Sequence, residues 1–477
     1  MTPHFLITDI LIWFLVFCVL IYIRQVVSSP LNRENWKLVF QSRIAASSAV
    51  VLAFASLITL VDSVHFKVNA EGQAKFGTPI ISALDLALGP LAYQRETSYS
   101  APLATRELSK KAIDTPKGPV RDYPRLKFGG KNLENESDKP LDLVKRAYKG
   151  VLAGGLLWTI SLVLIWVYAR QSTLAQAFAT SGESKKMILK NEQSFFAGNP
   201  SRTAVIWTLF VIFIAGGILW QWAQAYHVLG TDKVGLDVLY GALKSLRTAM
   251  LIGLLTTLLT LPLGIGLGLA AGYFQGWVDD VIQYIYTTIN SIPSVLLIAA
   301  TILMLNVALE ANPQLFSTSV EKADLRLFFL CAILGLTSWT GLARLLRGEV
   351  LKMREQDYIL AARASGVSPM ALLFSHLMPN LMHLILIATV MEFSGLVLAE
   401  AVLSYVGVGV DPTTFSFGTM INAARLELSR EPVVWWSLMA AFVFMLVLVL
   451  AANLFADAVR DAFDPRARQL KQSLIRV

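Results

Sequence analysis

The chain has 477 residues, of which 55% are hydrophobic and only 16% are charged. Soluble domains carry about 25% charged residues, so this composition excludes both a water-soluble protein and an intrinsically disordered one. Only two cysteines are present, which excludes a disulfide-stapled scaffold. The formal net charge of +8 comes from Lys and Arg in the gaps between apolar runs. We therefore expect membrane topology and no nucleic-acid partner.

Nine apolar stretches are long enough to cross a bilayer as helices, since about 20 residues span about 30 Å of hydrocarbon. In chain order they cover residues 5–23, 44–60, 151–168, 203–222, 250–274, 281–309, 327–343, 381–399 and 433–455. The first stretch has no basic start and no small-residue cleavage site, so it is interpreted as a retained span. The predicted fold class is an all-α polytopic membrane protein.

Lys and Arg in short loops predict which side of the membrane each loop faces. Residues 24–43 and 344–354 each carry four basic residues against one acid. Six predicted spans separate these loops, and an even number places both on the cytoplasmic side. This topology puts the N-terminus and residues 61–150 in the periplasm, and residues 169–202 and the C-terminus in the cytoplasm.

Two long polar segments separate predicted spans, and the outer one is expected to be mostly irregular. Five prolines between residues 102 and 140 interrupt the outer segment 61–150, where we expect short helices around residues 80–93 and 141–148. The inner segment 169–202 is predicted to be a helix that breaks at Ser181-Gly182.

Residues 355–379 on the cytoplasmic side have the pattern of a helix, a turn and a second helix. Gly366 can take the left-handed conformation that ends the first helix. Ser368 is predicted to cap the second helix, with Pro369 at its first position and Pro379 ending it. An apolar surface for a partner protein is expected from Val367, Met370 and Leu373. From the residues alone, an ordinary loop between spans remains an equal alternative.

Motifs for enzymatic chemistry are missing from the sequence. There is no phosphate loop, no zinc-protease motif and no nucleophile elbow. Gly264, Gly268 and Gly272 recur every four residues in a charge-free span, which predicts close packing of helices. His376 and His383 are separated by Pro379, which disfavours a metal pair. No catalytic residue, metal ligand or cofactor is therefore predicted for this chain.

The 355–379 segment resembles the cytoplasmic EAA signature of ABC importer permeases. Ala361, Ala362, Gly366 and Pro379 match at the family spacing, whereas Leu360 stands where the family has Glu. The ending His376-Leu-Met-Pro379-Asn380 is similar to that of the dipeptide, oligopeptide and nickel branch. Further segments similar to the second, C-type permease subunit of that branch are 227–238, 271–279, 291–294, 398–401, 403–410 and 453–466.

The resemblance implies an ABC type I importer permease that works by alternating access. It also implies a homologous partner permease, two cytoplasmic ATPase subunits that hold ATP and Mg, and an external solute-binding protein, all in a membrane lipid environment. The elbow at 355–379 would be the helix that couples the permease to the ATPase. Its coupling residues would be Ala361, Ala362, Gly366, Val367, Ser368, Met370 and Pro379.

The N-terminal part departs from the family pattern. Residues 1–199 are interpreted as an extension with about three spans and the periplasmic segment 61–150, and residues 200–477 as the permease core. Either the second or the fourth predicted span could be the family's first. Leu236 stands where the family commonly has Arg, and Glu392 where it has a small residue.

Four acids are candidates for the substrate path: Asp232, Asp237, Glu392 and Glu400. The 227–238 segment could instead be a helix cap made by Thr231 or Asp232. Glu392 lies mid-span, where it could line a path or tie two helices together as a neutral acid. Short peptides are the substrate that the resemblance implies.

Other functions remain open at this stage. The same machinery could take up nickel or cationic antimicrobial peptides. A proton-coupled secondary transporter would use Glu392 as its proton site. A membrane sensor would use the outer segment to read a ligand.

Overall fold

The computed structural model describes residues 2–67, 80–115, 118–179, 200–316 and 318–463. Its helices are α1 (Ile7–Ser28), α2 (Pro30–Gln41), α3 (Arg43–Asp62), α4 (Ala83–Leu88), α5 (Pro90–Tyr93), α6 (Lys139–Ala179), α7 (Pro200–Ala223), α8 (Val238–Phe274), α9 (Trp277–Ser291), α10 (Ser294–Ala311), α11 (Ser319–Met353), α12 (Asp357–Ala364), α13 (Pro369–Ala371), α14 (Met378–Tyr405), α15 (Phe417–Arg425) and α16 (Trp436–Phe463). Its strands are β1 (Thr2–His4), β2 (His65–Lys67), β3 (Ile80–Ser82), β4 (Lys111–Thr115) and β5 (Gly118–Asp122).

Nine helical segments in the described part of the chain are long and apolar enough to span a membrane. They correspond one by one to the predicted stretches, which confirms the all-α polytopic fold class. Several run beyond the apolar stretch that predicted them. The predicted span 327–343, for example, is the middle of the 35-residue helix α11.

The sixth predicted span, 281–309, is wrong as a single helix. The structure divides it into α9 and α10, with a break at Ile292 and Pro293. A residue before proline is pushed out of the helical region, and Ile292 is extended with φ −94° and ψ 131°. The predicted span joined the amphipathic helix α9 to the apolar helix α10, because hydropathy does not register the conformational effect of Pro293.

Helix α8 is the centre of the core and packs along α11. The glycine stripe lies in this contact, as predicted. A Cβ on Gly268 would lie 2.8 Å from the carbonyl oxygen of Ala343, and one on Gly272 would lie 2.6 Å from Cβ of Val350. The two backbones can approach this closely only because the stripe has no side chains.

The outer segment is more regular than predicted. Helices α4 and α5 confirm the prediction for 80–93, but 141–148 is the outer end of α6 and not a separate short helix. No glycine or proline follows Pro140 before Gly150, so nothing separates these residues from the span. Strands β1, β2 and β3 form an antiparallel sheet, and β4 and β5 form a hairpin. The predicted break at Ser181-Gly182 lies outside the described residues.

The extension and the core are in extensive contact. Ala55 of α3 belongs to one buried cluster with Leu246 and Met250 of α8 and Ala441 of α16. Near the start of α1, Thr8 donates to the Asp324 carboxylate of α11 through both its backbone N–H and its hydroxyl. Helix α3 therefore packs as part of the core. The division at residue 200 remains a prediction.

Candidate functional site

The elbow between α11 and α14 begins with the predicted helix and turn. Helix α12 ends at Ala364, and Gly366 has φ +81°, which confirms the left-handed conformation. The backbone N–H of Val367 donates to the carbonyl of Ala362 at 3.2 Å, which closes the helix end. The hydroxyl of Ser368 accepts from the N–H of Ala371 at 3.4 Å, which confirms the predicted cap.

Pro379 does not end the second helix, so that prediction is wrong. Helix α13, a π turn at Leu372–Leu377 and α14 form one continuous helical segment that enters the membrane. Within the π turn, the N–H of Met378 donates to the carbonyl of Leu373, five residues earlier. This wider turn makes room for a proline ring that would otherwise collide with the preceding turn.

The exposed surface of the elbow is apolar. Met370 is 61% exposed and Phe374 60% exposed, and Tyr358 and Leu360 on α12 are each 43% exposed. Leu373 was predicted to share this surface but is buried, because the continuing helix turns it toward the core. Such a concentration of exposed apolar side chains at one end of a membrane protein indicates a protein interface.

The elbow is firmly attached to the helices behind it. Ile359 of α12 is 1% exposed and packs in one buried cluster with Leu269 of α8 and Leu346 of α11. The side-chain amide of Asn380 on α14 donates to the Tyr358 hydroxyl at 3.3 Å. A displacement of the elbow would therefore also displace the three spanning helices that it contacts, α8, α11 and α14.

At the opposite membrane end, Asp237 caps α8. Its carboxylate accepts the N–H groups of Leu239 at 2.8 Å and Tyr240 at 3.4 Å. The predicted caps, Thr231 and Asp232, are wrong. Asp232 closes its own turn, where it accepts two backbone N–H groups, and this turn separates it from the helix start.

The outer segment lies directly on this turn. Glu96 accepts the backbone N–H groups of Lys127, Phe128 and Gly129 at 2.8–3.0 Å. His227 places Nδ1 2.8 Å from the Asp237 carboxylate and Nε2 3.4 Å from that of Glu96. A Cβ on Gly235 would lie 1.9 Å from the Glu96 carbonyl oxygen, so only glycine permits this contact.

The two carboxylates determine the charge of His227. Burial alone would lower the pKa of His227, but its hydrogen bonds to Asp237 and Glu96 outweigh burial and raise it to about 9. Burial of Glu96 is likewise outweighed by its hydrogen bonds to His227 and to three backbone N–H groups, which lower its pKa to about 2. At neutral pH the cluster is therefore a protonated histidine between two carboxylates.

This cluster predicts how stability depends on pH. The His227 contribution is complete below its unfolded pKa of about 6.5 and is lost as pH rises through about 9. The Glu96 contribution is complete above about 4.3 and is lost as pH falls toward about 2. Thermal unfolding of the purified protein should therefore show maximal stability between these limits.

A histidine variant tests the assignment. His227→Gln should lower the unfolding temperature at pH 6 and remove most of its decline between pH 7 and 10. His383→Gln, at the other membrane end, is the matched control and should keep the wild-type profile. An unchanged alkaline decline in His227→Gln would show that another group causes it.

The four candidate acids on the substrate path do not share one site. Asp237 is 2% exposed and serves the cap, and Asp232 serves the neighbouring turn. Glu400 is fully buried and accepts from the Ser404 hydroxyl at 2.6 Å. Glu392 is half-buried and has no hydrogen bond or ion pair within the described ranges. A role on the substrate path remains a prediction for all four.

A second buried charge cluster, which no sequence pattern predicted, lies near the membrane end that carries the outer segment. Arg247 of α8 contacts Asp9 of α1 at 2.8 Å and lies 3.9 Å from Asp62 of α3. Lys244, one turn earlier, contacts Asp62 and Asp85 at 2.8 Å each. The sequence does contain charged residues at the edges of apolar spans, which are candidates for buried ion pairs. It does not show which of these residues pair with each other.

Comparison with known proteins identifies the family. Residues 264–469 match the model of the "Binding-protein-dependent transport system inner membrane component" family. The chain is 31% identical over 248 residues to the oligopeptide transport system permease protein OppC of Mycobacterium tuberculosis, covering 52% of this chain and 79% of that protein.

Two further relatives each cover about half of the chain. The di/tripeptide transport system permease protein DppC of Pseudomonas aeruginosa is 31% identical over 245 residues, which are 51% of this chain and 74% of the relative. OppC of Bacillus subtilis is 30% identical over 243 residues, which are 51% of this chain and 73% of the relative. The chain therefore belongs to the binding-protein-dependent transport system inner membrane component family, as a multi-pass membrane permease subunit with an added N-terminal region.

Proposed function

We propose that this chain is one permease subunit of an ATP-driven ABC importer that carries short peptides across the cytoplasmic membrane by alternating access. The relatives that support this substrate class are named as oligopeptide and di/tripeptide permeases. The observation that carries the proposal is the capped, apolar elbow, which projects from the membrane yet is attached to three spanning helices.

The proposed assembly has a homologous partner permease, two cytoplasmic ATPase subunits and an external solute-binding protein. ATP and Mg bind the ATPase subunits. Met370 and Phe374 enter a groove of one ATPase, and Ile359 transmits its movement to α8 and α11. Ala361, Ala362 and Gly366 are small, which keeps this face of the elbow narrow enough for close contact.

Vesicle uptake tests the proposed function. The chain is reconstituted with its partner permease and ATPases, and the binding protein is supplied on the outside. Uptake of a labelled peptide should require ATP, Mg and the binding protein. Uptake driven by a proton gradient without ATP would support a secondary transporter instead and would contradict the proposal.

Two alternative substrates for the same transport machinery are nickel and cationic antimicrobial peptides. Glu392 is the residue on which the cationic alternative depends, because it is an acid in the middle of a spanning helix. The competing interpretation is a neutral Glu392 that ties two helices together; no hydrogen bond of this kind is present in the described part of the chain, so the second helix would belong to the partner permease.

Substitutions at Glu392 distinguish these interpretations. If Glu392 lines the path, Glu392→Gln should reduce uptake of cationic peptides severalfold relative to neutral ones while the complex stays assembled. If it only joins helices, Glu392→Gln should be nearly silent, and Glu392→Leu should lower the unfolding temperature. Uptake of matched cationic and neutral peptides in both variants is the measurement, and an unchanged profile for Glu392→Gln would eliminate the path role.

A further inference from the structure

A groove separates the N-terminal helices from the α6–α7 pair at the membrane end that carries the elbow. Its volume is about 760 Å³. The walls are the last turn of α1, helix α2, the start of α3, Leu162 and Ile165 in the second half of α6, and the first turns of α7. The contributing parts of α1, α3 and α7 are the helix ends remote from the outer segment, so the groove lies at one membrane interface.

The groove combines apolar walls with basic side chains. Val27 of α1, Ile165 of α6 and Val205 of α7 are among its apolar lining residues. Its charged lining residues in the described part of the chain are all basic: Arg33, Lys37 and Arg202. Such a combination at a membrane interface matches a phospholipid with an anionic headgroup.

The sequence of α2 places basic and aromatic side chains on adjacent faces of the helix. Arg33, Lys37 and Gln41 recur every four residues and form one stripe of the helix, and Trp36 and Phe40 form the next. The Trp36 ring packs edge-on against Phe463 of α16 at 5.6 Å between centroids. This contact holds α2 so that its basic stripe lies beside the apolar wall of the groove. Tryptophan commonly anchors helices at a membrane interface in this way.

We propose that this groove binds an anionic phospholipid of the cytoplasmic leaflet. The phosphate contacts Arg33 and Lys37, and the acyl chains lie along the walls of α1, α6 and α7. Charge complementarity favours the anionic lipid, since Arg33 and Lys37 both line the groove. Lys37 also donates to Glu34 at 3.1 Å, so Arg33 supplies the main positive charge and Lys37 adds to it. The lipid would join the α6–α7 pair to the N-terminal helices, a role independent of the transported substrate.

Lipid binding to the purified full-length chain tests this site by native mass spectrometry. Phosphatidylglycerol is the anionic probe and phosphatidylcholine the neutral one. The wild type should retain phosphatidylglycerol more tightly than phosphatidylcholine. The double variant Arg33→Gln/Lys37→Gln should bind phosphatidylglycerol about tenfold more weakly, because each basic residue near the headgroup favours anionic lipid, while its binding of phosphatidylcholine stays unchanged.

A matched control removes the same charge outside the groove. Arg24→Gln/Arg43→Gln changes two basic residues at the same membrane end that do not line the groove, and should bind phosphatidylglycerol like the wild type. Val205→Trp should weaken the binding of both lipids, because the larger side chain would occupy the space proposed for the acyl chains. The proposal is overturned if the two double variants lose equal affinity, if the wild type does not discriminate between the lipids, or if Val205→Trp has no effect.

Discussion

Gly366→Val is expected to reduce peptide transport and substrate-stimulated ATP hydrolysis together, by about tenfold, with the protein still inserted and assembled. Gly366 has φ +81°, and nothing lies within 4 Å of the position where a Cβ would stand. The effect therefore comes from the backbone alone, because the left-handed conformation costs an L-residue about 1–2 kcal/mol and a β-branched one more. The strain would displace α12 relative to α13 and misplace the surface proposed to contact the ATPase.

Gly366→Asn is the matched control, since asparagine tolerates the left-handed conformation several-fold better than other residues with a Cβ. It should retain most of the coupling. Both variants are measured for uptake and ATP hydrolysis in the same reconstituted complex. Normal coupling in an inserted Gly366→Val complex would contradict the assignment of this elbow.

Arg247→Met is expected to destabilise the chain by about 3–5 kcal/mol, the usual result of removing one partner from a buried ion pair. Asp9 is fully buried, and its carboxylate lies 2.8 Å from the Arg247 guanidinium and 2.8 Å from Nδ1 of His65. The substitution would leave that carboxylate without its guanidinium, and Asp62 would lose part of its compensating charge. Equilibrium unfolding in mixed micelles measures the loss.

Two further variants separate the ion pair from the loss of a side chain. Asp9→Asn combined with Arg247→Met should recover more than half of the stability, because it removes the uncompensated charge. Arg430→Met breaks an exposed pair with Glu427 and should cost about 1 kcal/mol or less. Equal losses in Arg247→Met and Arg430→Met would show that the cluster does not anchor α1.

The sequence by itself determined the number of spans, the fold class and the first half of the elbow. Each of these depends on local chemistry. An apolar run of sufficient length must be a helix in a membrane, since every backbone polar group has to bond within the segment. Gly366, Ser368 and Pro369 act on their immediate neighbours, so the turn and the cap follow from their order.

Only the tertiary structure decided which distant residues meet. The π turn that accommodates Pro379 forms where Leu373 and Leu377 are buried against α8 and α11. Asp237, rather than Asp232, caps α8 because Asp232 is engaged in a turn on which the outer segment rests. Arg247 pairs with a residue 238 positions away. Contacts of this kind depend on how whole helices pack, and a sequence pattern specifies faces and ends of helices but not their neighbours.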